Sequence, residues 1–357
     1  MKKKIIHFIF NLGRGGAETM LVRVIKELDE YEHVVVTMFN MDHFQEELKC
    51  EKLICLNLSS LFSIPWAVIK FKRVVKREKP DLVHTHLFWP TAIARLAVPK
   101  KTPLITTIHA FIAHSVEYKN WHIRFLDKLT YKFRPSVIIV VAKGALEEYF
   151  SFLKLKPYKA YALYTFVDTE RFNPDREEPK ANSPLFRLIS VGALRTQKNH
   201  CYLVEAMSKL KEENIELHIY GVGNLKEKLD HQIKATGARV TLAGEVKDIE
   251  TVLPQFDLYI MGSSFEGFSL SVLESMAMKV PLLLSDIPSF REQCEGLAEY
   301  FSLENNEDLA EKIKGLSKTS GAEMKKKGEA LRERAVNNFT LTQHVNGLRR
   351  IYEESLK

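Results

Sequence analysis

The sequence predicts an α/β protein made of two doubly wound domains, each with a parallel sheet covered by helices. Its 357 residues exceed the roughly 250 to 300 residues at which a single hydrophobic core stops growing. Short apolar runs alternate with segments of helical periodicity along the chain, a pattern typical of parallel sheets with crossover helices. Residues 165–183 combine prolines with mixed charge and lack an apolar period, which indicates a linker. We therefore expect domains at residues 1–165 and 166–340.

Apolar runs place the strands and periodic segments place the helices. In the first domain we expect strands at residues 4–10, 33–39, 53–57, 82–86, 104–109 and 136–141. In the second they fall at residues 187–192, 216–220, 240–243, 258–262 and 281–285. Helices fill the gaps, for example at residues 17–28, 64–77, 201–211 and 225–236. A final helix within residues 341–357 has Val345, Leu348 and Ile351 at helical spacing. Either domain is a candidate surface for it, including a return to the first.

The composition favours a cytoplasmic globular protein. A hydrophobic fraction of 45% with 27% charged residues argues against disordered and fibrous classes. The four cysteines match neither a CxxC pair nor a zinc site, so reduced thiols are expected. The longest apolar run, residues 137–142, is far shorter than the roughly 20 residues of a membrane-spanning helix.

The net charge of +7 suits an anionic partner such as a nucleotide, a phospholipid surface or a nucleic acid. A nucleic acid is the least favoured of the three, because the basic residues are interspersed with acidic ones and no recognition module is present. Charge alone does not choose between the other two.

Ligands of open α/β sheets bind beyond the carboxyl ends of the strands, so the loops that follow strands are the candidate sites. Residues 11–18 form a glycine-rich loop in which Gly15 and Gly16 precede a helix. They permit close approach of a ligand, although a tight turn is an equally simple explanation. His84 and His86 share one face of a strand end, and packing or an acceptor contact is favoured over a metal because no acidic third ligand is evident. His109 ends the next strand, where a structural and a functional role are equally plausible.

Two loops of the second half contain charged residues suited to a phosphorylated ligand. In residues 192–200, Arg195 and Lys198 can place positive charge over a diphosphate, with a basic surface loop as the alternative. In residues 262–277, Glu266 lies on a loop and Glu274 lies in the helix that begins near Ser269. The backbone N–H groups around Gly267 suit phosphate oxygens. Glu274 has apolar neighbours that look buried, and a buried carboxylate needs a partner.

These segments resemble glycosyltransferase family 4, a family of retaining enzymes with the GT-B fold. Residues 262–281 are similar to its signature with two glutamates, and residues 192–200 to its phosphate loop. Residues 13–18 and 81–86 resemble its first loop and its strand-end histidine segment. The resemblance spans nearly the whole chain and implies two Rossmann-like domains facing a central cleft. The chain departs from the family in having Ala193 directly after Gly192, where many members have arginine, and Lys279 where glycine is common.

The resemblance also implies a role for individual residues. Glu274 would bind the ribose of a UDP- or GDP-sugar, and Glu266 would contact the donor sugar. Lys198 and Arg195 would neutralise the leaving diphosphate, assisted by N–H groups at Phe268, Ser269 and Leu270. Gly15 and Gly16 would approach the donor from the first domain, and His109 would face the reacting sugar or the acceptor. The base would lie near residues 221–223 and 243–246. No metal or other cofactor is expected.

The predicted activity is transfer of a sugar to a glycan or lipid-linked acceptor in polysaccharide synthesis. Residues 64–77 and 111–134 combine apolar and basic side chains and are candidate acceptor surfaces, the first of them also for contact with an anionic membrane. A surface helix packed on its own sheet is the simpler explanation of residues 64–77. Two alternatives remain open, a nucleotide-sugar epimerase on the same scaffold and a catalytically silent nucleotide-sugar-binding subunit.

Overall fold

The computed structural model describes residues 2–13, 15–41, 43–44, 46–60, 63–115, 117–177 and 183–357. The chain forms two compact units, one of residues 1–165 with 341–357 and one of residues 166–340. Each has its own parallel sheet and its own hydrophobic core.

The first unit is built on a seven-stranded sheet in the order β3-β2-β1-β4-β5-β6-β7. Its strands are β1 Lys4–Ile9, β2 Glu32–Thr37, β3 Lys52–Cys55, β4 Leu82–His86, β5 Leu104–Ile108, β6 Val137–Val140 and β7 Lys159–Ala162. Its helices are α1 Gly16–Glu27, α2 Ile64–Glu78, α3 Phe88–Ala97, α4 Trp121–Phe133 and α5 Lys143–Leu153. The inner strands are buried on both faces because helices cover the sheet, as their continuous apolar runs require, whereas the edge strands β3 and β7 are partly exposed.

The second unit is built on a six-stranded sheet in the order β10-β9-β8-β11-β12-β13. Its strands are β8 Phe186–Val191, β9 Ile215–Tyr220, β10 Val240–Gly244, β11 Leu258–Met261, β12 Leu282–Ser285 and β13 Glu299–Phe301. Its helices are α6 His200–Ser208, α7 Lys226–Thr236, α8 Ile249–Val252, α9 Leu270–Ala277, α10 Pro288–Cys294, α11 Asn306–Leu316 and α12 Gly321–Asn338.

The final helix, α13 Leu341–Leu356, belongs to the first unit. Its apolar face buries Val345, Leu348, Ile351 and Tyr352. The Tyr352 hydroxyl lies 2.7 Å from Nδ1 of His84 in β4, so the helix is joined to the middle of the sheet by a buried hydrogen bond. On its exposed side, Arg349 Nε donates to Oε1 of Glu30 at 2.6 Å, and Glu30 lies three residues after the end of α1.

The expected linker begins as a packed segment. Phe166, Val167 and Phe172 are buried, and Val167 forms a parallel bridge with Thr340. A short 3-10 turn follows at Pro174–Arg176. The expectation of an irregular conformation agrees with this path, but these residues are anchored in the second unit by their apolar side chains. Residues 178–182 of the expected linker lie outside the described residues.

Most strand expectations agree with the structure to within one or two residues, but β7 and β13 were not anticipated. In β7 the charged Lys159 and two alanines leave no apolar run, and β13 has only three residues. Both lie at sheet edges, where a strand is partly exposed and its apolar signal is weak.

Candidate active site

The topology of the second sheet places two loops side by side. β8 lies between β9 and β11, so the chain leaves β8 in one direction and reaches β11 by crossing to the other side. The carboxyl ends of these two strands form a switch point, the place where α/β sheets open a crevice for ligands. Residues 192–199 follow β8 and residues 262–269 follow β11. The two charged loops singled out in the sequence therefore meet at this edge.

Lys198 and Glu266 form an ion pair at this switch point. Lys198 Nζ lies 2.8 Å from Glu266 Oε1, and the side chains are only 17% and 9% exposed. The Ser263 hydroxyl donates a second hydrogen bond, of 2.7 Å, to the same carboxylate oxygen. These charge-assisted hydrogen bonds hold the Lys198 and Glu266 side chains in place. Both are made to Oε1, so Oε2 of Glu266 has no bond to Lys198 or Ser263.

Hydrogen bonds of Gln197 fix the spacing of the two loops. The Ser264 N–H donates to the Gln197 backbone carbonyl at 2.9 Å, and Nε2 of the Gln197 side chain donates to the Phe265 carbonyl at 2.8 Å. The loops are thus joined at the residues directly before the ion pair. A polar pair held in this way needs little reorganisation when a ligand binds.

The glycines near this site are required by backbone packing. A Cβ atom on Gly221, whose φ is +147°, would lie 2.1 Å from the Gly192 carbonyl oxygen. A Cβ atom on Gly223 would lie 2.5 Å from the Leu194 carbonyl oxygen. These contacts explain both glycines without a ligand, because they let the loop after β9 pack on the loop after β8.

The start of α9 differs from the expectation in one respect. Gly267, Phe268 and Ser269 are buried, and the Ser269 N–H donates to Oε1 of Gln293 at 3.1 Å. Nε2 of Gln293 in turn donates to the Ser269 carbonyl at 2.9 Å. The expectation that the Ser269 N–H faces a phosphate is therefore wrong, because that donor is already used inside the protein. Leu270, the first residue of α9, is half-buried.

Glu274 occupies the second turn of α9 and is half-buried, whereas Val272, Leu273 and Met276 are fully buried. Its charge contributes to raising the pKa of Tyr259, although burial is the larger cause, and it also helps to raise the pKa of Arg171. Glu274 thus lies close to polar groups and retains access to solvent. The neighbours are buried as expected, the carboxylate itself is buried only in part, and its contact with the ribose stays a prediction.

Arg195 is exposed, at the start of the 3-10 turn Thr196–Lys198. Within the described parts of the chain its guanidinium has no hydrogen-bond or ion-pair partner. It differs in this from Lys198, three residues later, whose charge is already paired. Arg195 is therefore a positive group that can move toward an anion at little cost.

Three expected site residues lie in the first unit. Gly15 caps α1 and Gly16 begins it, and a Cβ atom on Gly15 would lie 2.4 Å from Glu18 Oε2. His109 follows β5, with Nε2 3.2 Å from Nδ1 of His86. Burial lowers the pKa of His109 to about 4, so its imidazole is neutral near pH 7. It can exchange hydrogen bonds there but adds no positive charge.

A cavity of about 70 Å³ adjoins His109. Its wall includes Phe88, Ile112 and Tyr118, and its polar groups include Asp127 and Tyr149. The last two belong to a buried network in which Arg95 Nη1 lies 2.5 Å from Asp127 Oδ1 and the Tyr118 hydroxyl donates to Oδ2 at 2.6 Å. This network joins α3, α4 and α5 behind the cavity and fixes its shape.

Comparison with known proteins identifies the family. Residues 14–171 match the family model described as Glycosyltransferase Family 4, and residues 172–337 match the model described as Glycosyl transferases group 1. The chain belongs to glycosyltransferase family 4.

Curated relatives of this glycosyltransferase include two enzymes named for lipid-linked substrates. The chain is 28% identical over 315 residues to the Campylobacter jejuni N-acetylgalactosamine-N,N'-diacetylbacillosaminyl-diphospho-undecaprenol 4-alpha-N-acetylgalactosaminyltransferase, covering 84% of this chain and 85% of the relative. It is 26% identical to the Escherichia coli UDP-Gal:alpha-D-GlcNAc-diphosphoundecaprenol alpha-1,3-galactosyltransferase, covering 84% of this chain and 81% of the relative.

Solved structures show that the glycosyltransferase has the GT-B fold. The crystal structure of HepE from Anabaena, in complex with UDP and glucose, has a TM-score of 0.85 and 16% identity and covers 98% of this chain and 99% of that one. A glycosyltransferase from Rickettsia africae has a TM-score of 0.82 and 19% identity and covers both chains fully. At these identities the likeness concerns the fold alone. Among the described residues, no helix of the enzyme is both long and apolar enough to cross a bilayer.

Sequence reasoning missed several residues that shape the two candidate regions of the enzyme. Ser263 and Gln293 bind Glu266 and Ser269 in the second unit. Tyr352 and Thr107 bind the two ring nitrogens of His84 in the first, each at 2.7 Å. The two serines at Ser263 and Ser264, directly after a buried strand, were a usable signal, whereas Gln293 and Tyr352 are remote in sequence from the groups that they bind.

Proposed function

We propose that the enzyme transfers a hexosyl or N-acetylhexosaminyl group from a UDP- or GDP-sugar to a glycan or lipid-linked acceptor, with retention of anomeric configuration, in cell-surface polysaccharide synthesis. The observation that supports this most strongly is the Lys198–Glu266 pair at the switch point of the second sheet. A cation and a carboxylate held together there match the two needs of a sugar diphosphate, which are charge neutralisation and hydroxyl recognition.

The proposed leaving group is the nucleoside diphosphate. Negative charge grows on it as the glycosidic bond breaks, so a cation already in position lowers the barrier. Lys198 supplies that charge from a fixed position, and the unpaired Arg195 supplies a second charge on binding. The N–H groups of Leu270 and of the next residues in α9 add the helix dipole, without that of Ser269. The proposal therefore requires no metal at the diphosphate.

The two glutamates are proposed to recognise hydroxyl groups. Lys198 and Ser263 both bind Oε1 of Glu266, and the other carboxylate oxygen would accept a hydrogen bond from the donor sugar. Glu274 is half-buried one helical turn past the start of α9, where it would bind the ribose. Gly267 and Phe268 are buried and form the backbone between Glu266 and the start of α9, where the donor is proposed to bind. Gly15 and Gly16 would admit the donor to the first unit without a side-chain clash.

The acceptor is proposed to bind the first unit near His109. Because this imidazole is neutral, it would act as a hydrogen-bond partner of the reacting sugar or acceptor hydroxyl. The adjoining cavity of about 70 Å³ has room for part of a sugar. The named substrates of the Campylobacter and Escherichia relatives support an undecaprenyl diphosphate acceptor here.

Helix α4 is the surface proposed to meet the membrane that holds such an acceptor. Four large apolar residues, Trp121, Phe125, Leu129 and Phe133, lie four positions apart and are 52% to 70% exposed. Residues four apart share one side of a helix. Basic residues on the same helix flank this stripe, namely Arg124, Lys128 and Lys132. An apolar stripe with a basic flank is the pattern of a helix that lies in an anionic interface, and this supports the proposal of a peripheral contact at the cytoplasmic face.

Product analysis tests the proposed reaction. The enzyme would be incubated with UDP- and GDP-sugars, with and without a synthetic polyprenyl-diphosphate sugar, and the products would be separated by mass and their anomeric configuration read by NMR. We expect a product enlarged by one sugar, with the anomeric configuration of the donor. Conversion of the donor without acceptor would show an epimerase instead, and donor binding without any product would show a silent subunit.

Vesicle flotation tests the membrane contact separately. The wild-type chain should float with vesicles of anionic phospholipid and not with neutral ones, and Phe125→Ser with Leu129→Ser should abolish flotation. Tyr158→Ser is the matched control, because Tyr158 is 70% exposed and lies outside α4. Failure of the wild-type chain to float, or equal loss in the control, would contradict the assignment of α4.

A further inference from the structure

Three histidines meet on one face of the first sheet. His7 lies in β1 directly opposite His84 in β4, and His86 is two residues further along β4. Strand neighbours in register and residues two apart point to the same side of a sheet. One ring nitrogen from each of the three lies within 4.8 Å of one from each of the others. All three side chains are buried, with exposures of 0%, 2% and 5%.

Hydrogen bonds inside the protein leave two of these ring nitrogens unused. His7 Nε2 lies 3.0 Å from Nδ1 of His33, and His86 Nδ1 lies 3.2 Å from Nε2 of His109. His7 Nδ1 and His86 Nε2 are buried and have no hydrogen-bond partner among the described residues. Buried polar atoms are normally paired, and unpaired nitrogens on side chains that line one cavity call for an ion or a water molecule.

The third histidine can join them by giving up one hydroxyl contact. His84 Nδ1 lies 2.7 Å from the Tyr352 hydroxyl, and its Nε2 lies 2.7 Å from the Thr107 hydroxyl. A neutral imidazole has one nitrogen with a free electron pair. Rotation of the Thr107 side chain about its Cα–Cβ bond would move its hydroxyl away from Nε2 without moving the backbone, and Nδ1 would then donate to the Tyr352 hydroxyl.

The cavity lined by these rings is large enough for one ion or one water molecule. His7, His84 and His86 all line a cavity of about 20 Å³, together with Tyr352 and His344. A cavity needs roughly 10 to 15 Å³ to hold a single water-sized occupant. The lining also includes Thr107 and His109, is otherwise apolar, and contains no carboxylate and no thiol among the described residues.

We propose that His7, His84 and His86 bind one divalent transition-metal ion, of the zinc type, through one imidazole nitrogen each. Imidazole nitrogens suit zinc, copper and nickel, whereas magnesium and calcium require oxygen ligands. Burial keeps the three rings neutral by lowering the pKa of each, so they are ready to bind without first losing a proton. With three ligands, a fourth position stays open for water.

The metal site is separate from the proposed transfer reaction, but one of its ligands, His86, is hydrogen-bonded to His109, which is proposed to bind the acceptor. A metal on Nε2 of His86 leaves the ring proton on Nδ1, which then donates to Nε2 of His109. The ion would therefore fix His109 with its own proton on Nδ1. The site belongs wholly to the first unit, so binding can be tested without donor or acceptor.

Metal binding is measured on tag-free, EDTA-stripped full-length chain. Equilibrium dialysis against Zn²⁺ followed by elemental analysis should give one zinc per chain, and Co²⁺ should give the visible absorption bands of a four-coordinate histidine site. The test variant combines His7→Gln with His86→Asn. Each replacement keeps an amide near the nitrogen that is hydrogen-bonded and deletes the unpaired one. We expect its affinity for Zn²⁺ to fall by at least about 10- to 100-fold.

His231→Asn is the matched control, because His231 is exposed and lies in the second unit; it should bind as the wild type does. Far-UV circular dichroism checks that the double variant folds. If it does not, the Co²⁺ spectrum of the wild-type chain decides the matter. Absence of those bands and of bound zinc in the wild type, or equal binding by the folded double variant, would overturn the proposal and leave a buried water as the occupant.

Discussion

The two units use the same part of their sheets in different ways. In each, a central strand, β1 or β8, has its successor on one side and a strand reached by crossover on the other. Beside β1 the sheet contains the buried imidazoles of His7, His84 and His86, and burial lowers the pKa of each. Beside β8 the switch point holds the ion pair of Lys198 and Glu266. One backbone arrangement thus supports either a polar, uncharged surface or a charged one, and only the second suits a diphosphate.

The units also differ in where they bury charge. The first encloses Arg95 and Asp127, which are 0% and 2% exposed. The second keeps its ion pairs partly exposed, including the pair of Lys198 and Glu266. The first unit should therefore depend more strongly on a single pair for its stability.

The largest effect is expected from Asp127→Ala. Removing the carboxylate leaves the buried Arg95 charge unpaired, and the free energy of unfolding should fall by about 3 to 5 kcal/mol. All three tryptophans, Trp66, Trp89 and Trp121, lie in the first unit, so urea unfolding followed by their fluorescence reports this unit. The exposed Asp29→Ala serves as control. A loss no larger than that of Asp29→Ala would remove the contrast between the units.

A smaller effect is expected from His200, which is 1% exposed at the start of α6. Burial, followed by the nearby charge of Lys198, lowers the pKa of His200 to about 4. In the unfolded chain His200 therefore takes up a proton below about pH 6.5, the ordinary pKa of histidine. In the folded unit it does not do so until the pH approaches 4. Stability should fall as the pH drops from about 6.5 to 4, by up to roughly 3 kcal/mol.

His200→Leu should remove this part of the acid sensitivity. The measurement is urea unfolding followed by circular dichroism. The transition of the second unit is the one that circular dichroism detects and tryptophan fluorescence does not, because all three tryptophans lie in the first unit. His231→Leu, at an exposed position, should behave as the wild type. An unchanged pH dependence in His200→Leu would show that this imidazole is not the source.

Glu274→Gln tests the nucleotide end of the second unit. The loss of charge-assisted hydrogen bonds to the ribose should weaken UDP or GDP binding by about 1.5 to 3 kcal/mol. Titration calorimetry measures this, with Glu227→Gln, exposed on α7, as control. Equal affinity in the Glu274 variant and the wild type would place the ribose elsewhere.

The smallest effect concerns Lys279, which follows α9 with a φ of +60°. A left-handed conformation favours glycine, because other side chains crowd the backbone there. Lys279→Gly should raise the free energy of unfolding of the second unit by about 1 kcal/mol. Lys228→Gly, at an exposed position inside α7, should lower it by a similar amount. A loss of stability in Lys279→Gly would show that its contact with Asp175 outweighs the backbone strain.

Regular elements with strong apolar runs were predictable from the sequence, and remote contacts were not. Leu82–His86 has the expected bounds because its apolar residues stand out from the polar segments around it. His7 was overlooked as a partner of His84 and His86, because it lies within an apolar run that reads as an ordinary strand. Gln293 is 24 residues from Ser269, and only the packing of α10 on the start of α9 brings them together. The roles of Glu266 and Lys198 stay predictions, although their contact agrees with them.

The most direct test of the account is the turnover number of Lys198→Ala with a saturating nucleotide-sugar and acceptor. Loss of a preorganised charge on the leaving group should lower it by roughly 100- to 1000-fold, or about 2.7 to 4 kcal/mol. Lys226→Ala makes the same change of charge on the exposed surface of the same unit and should have wild-type turnover. Wild-type turnover in Lys198→Ala would contradict the assignment of the diphosphate to the switch point beside β8.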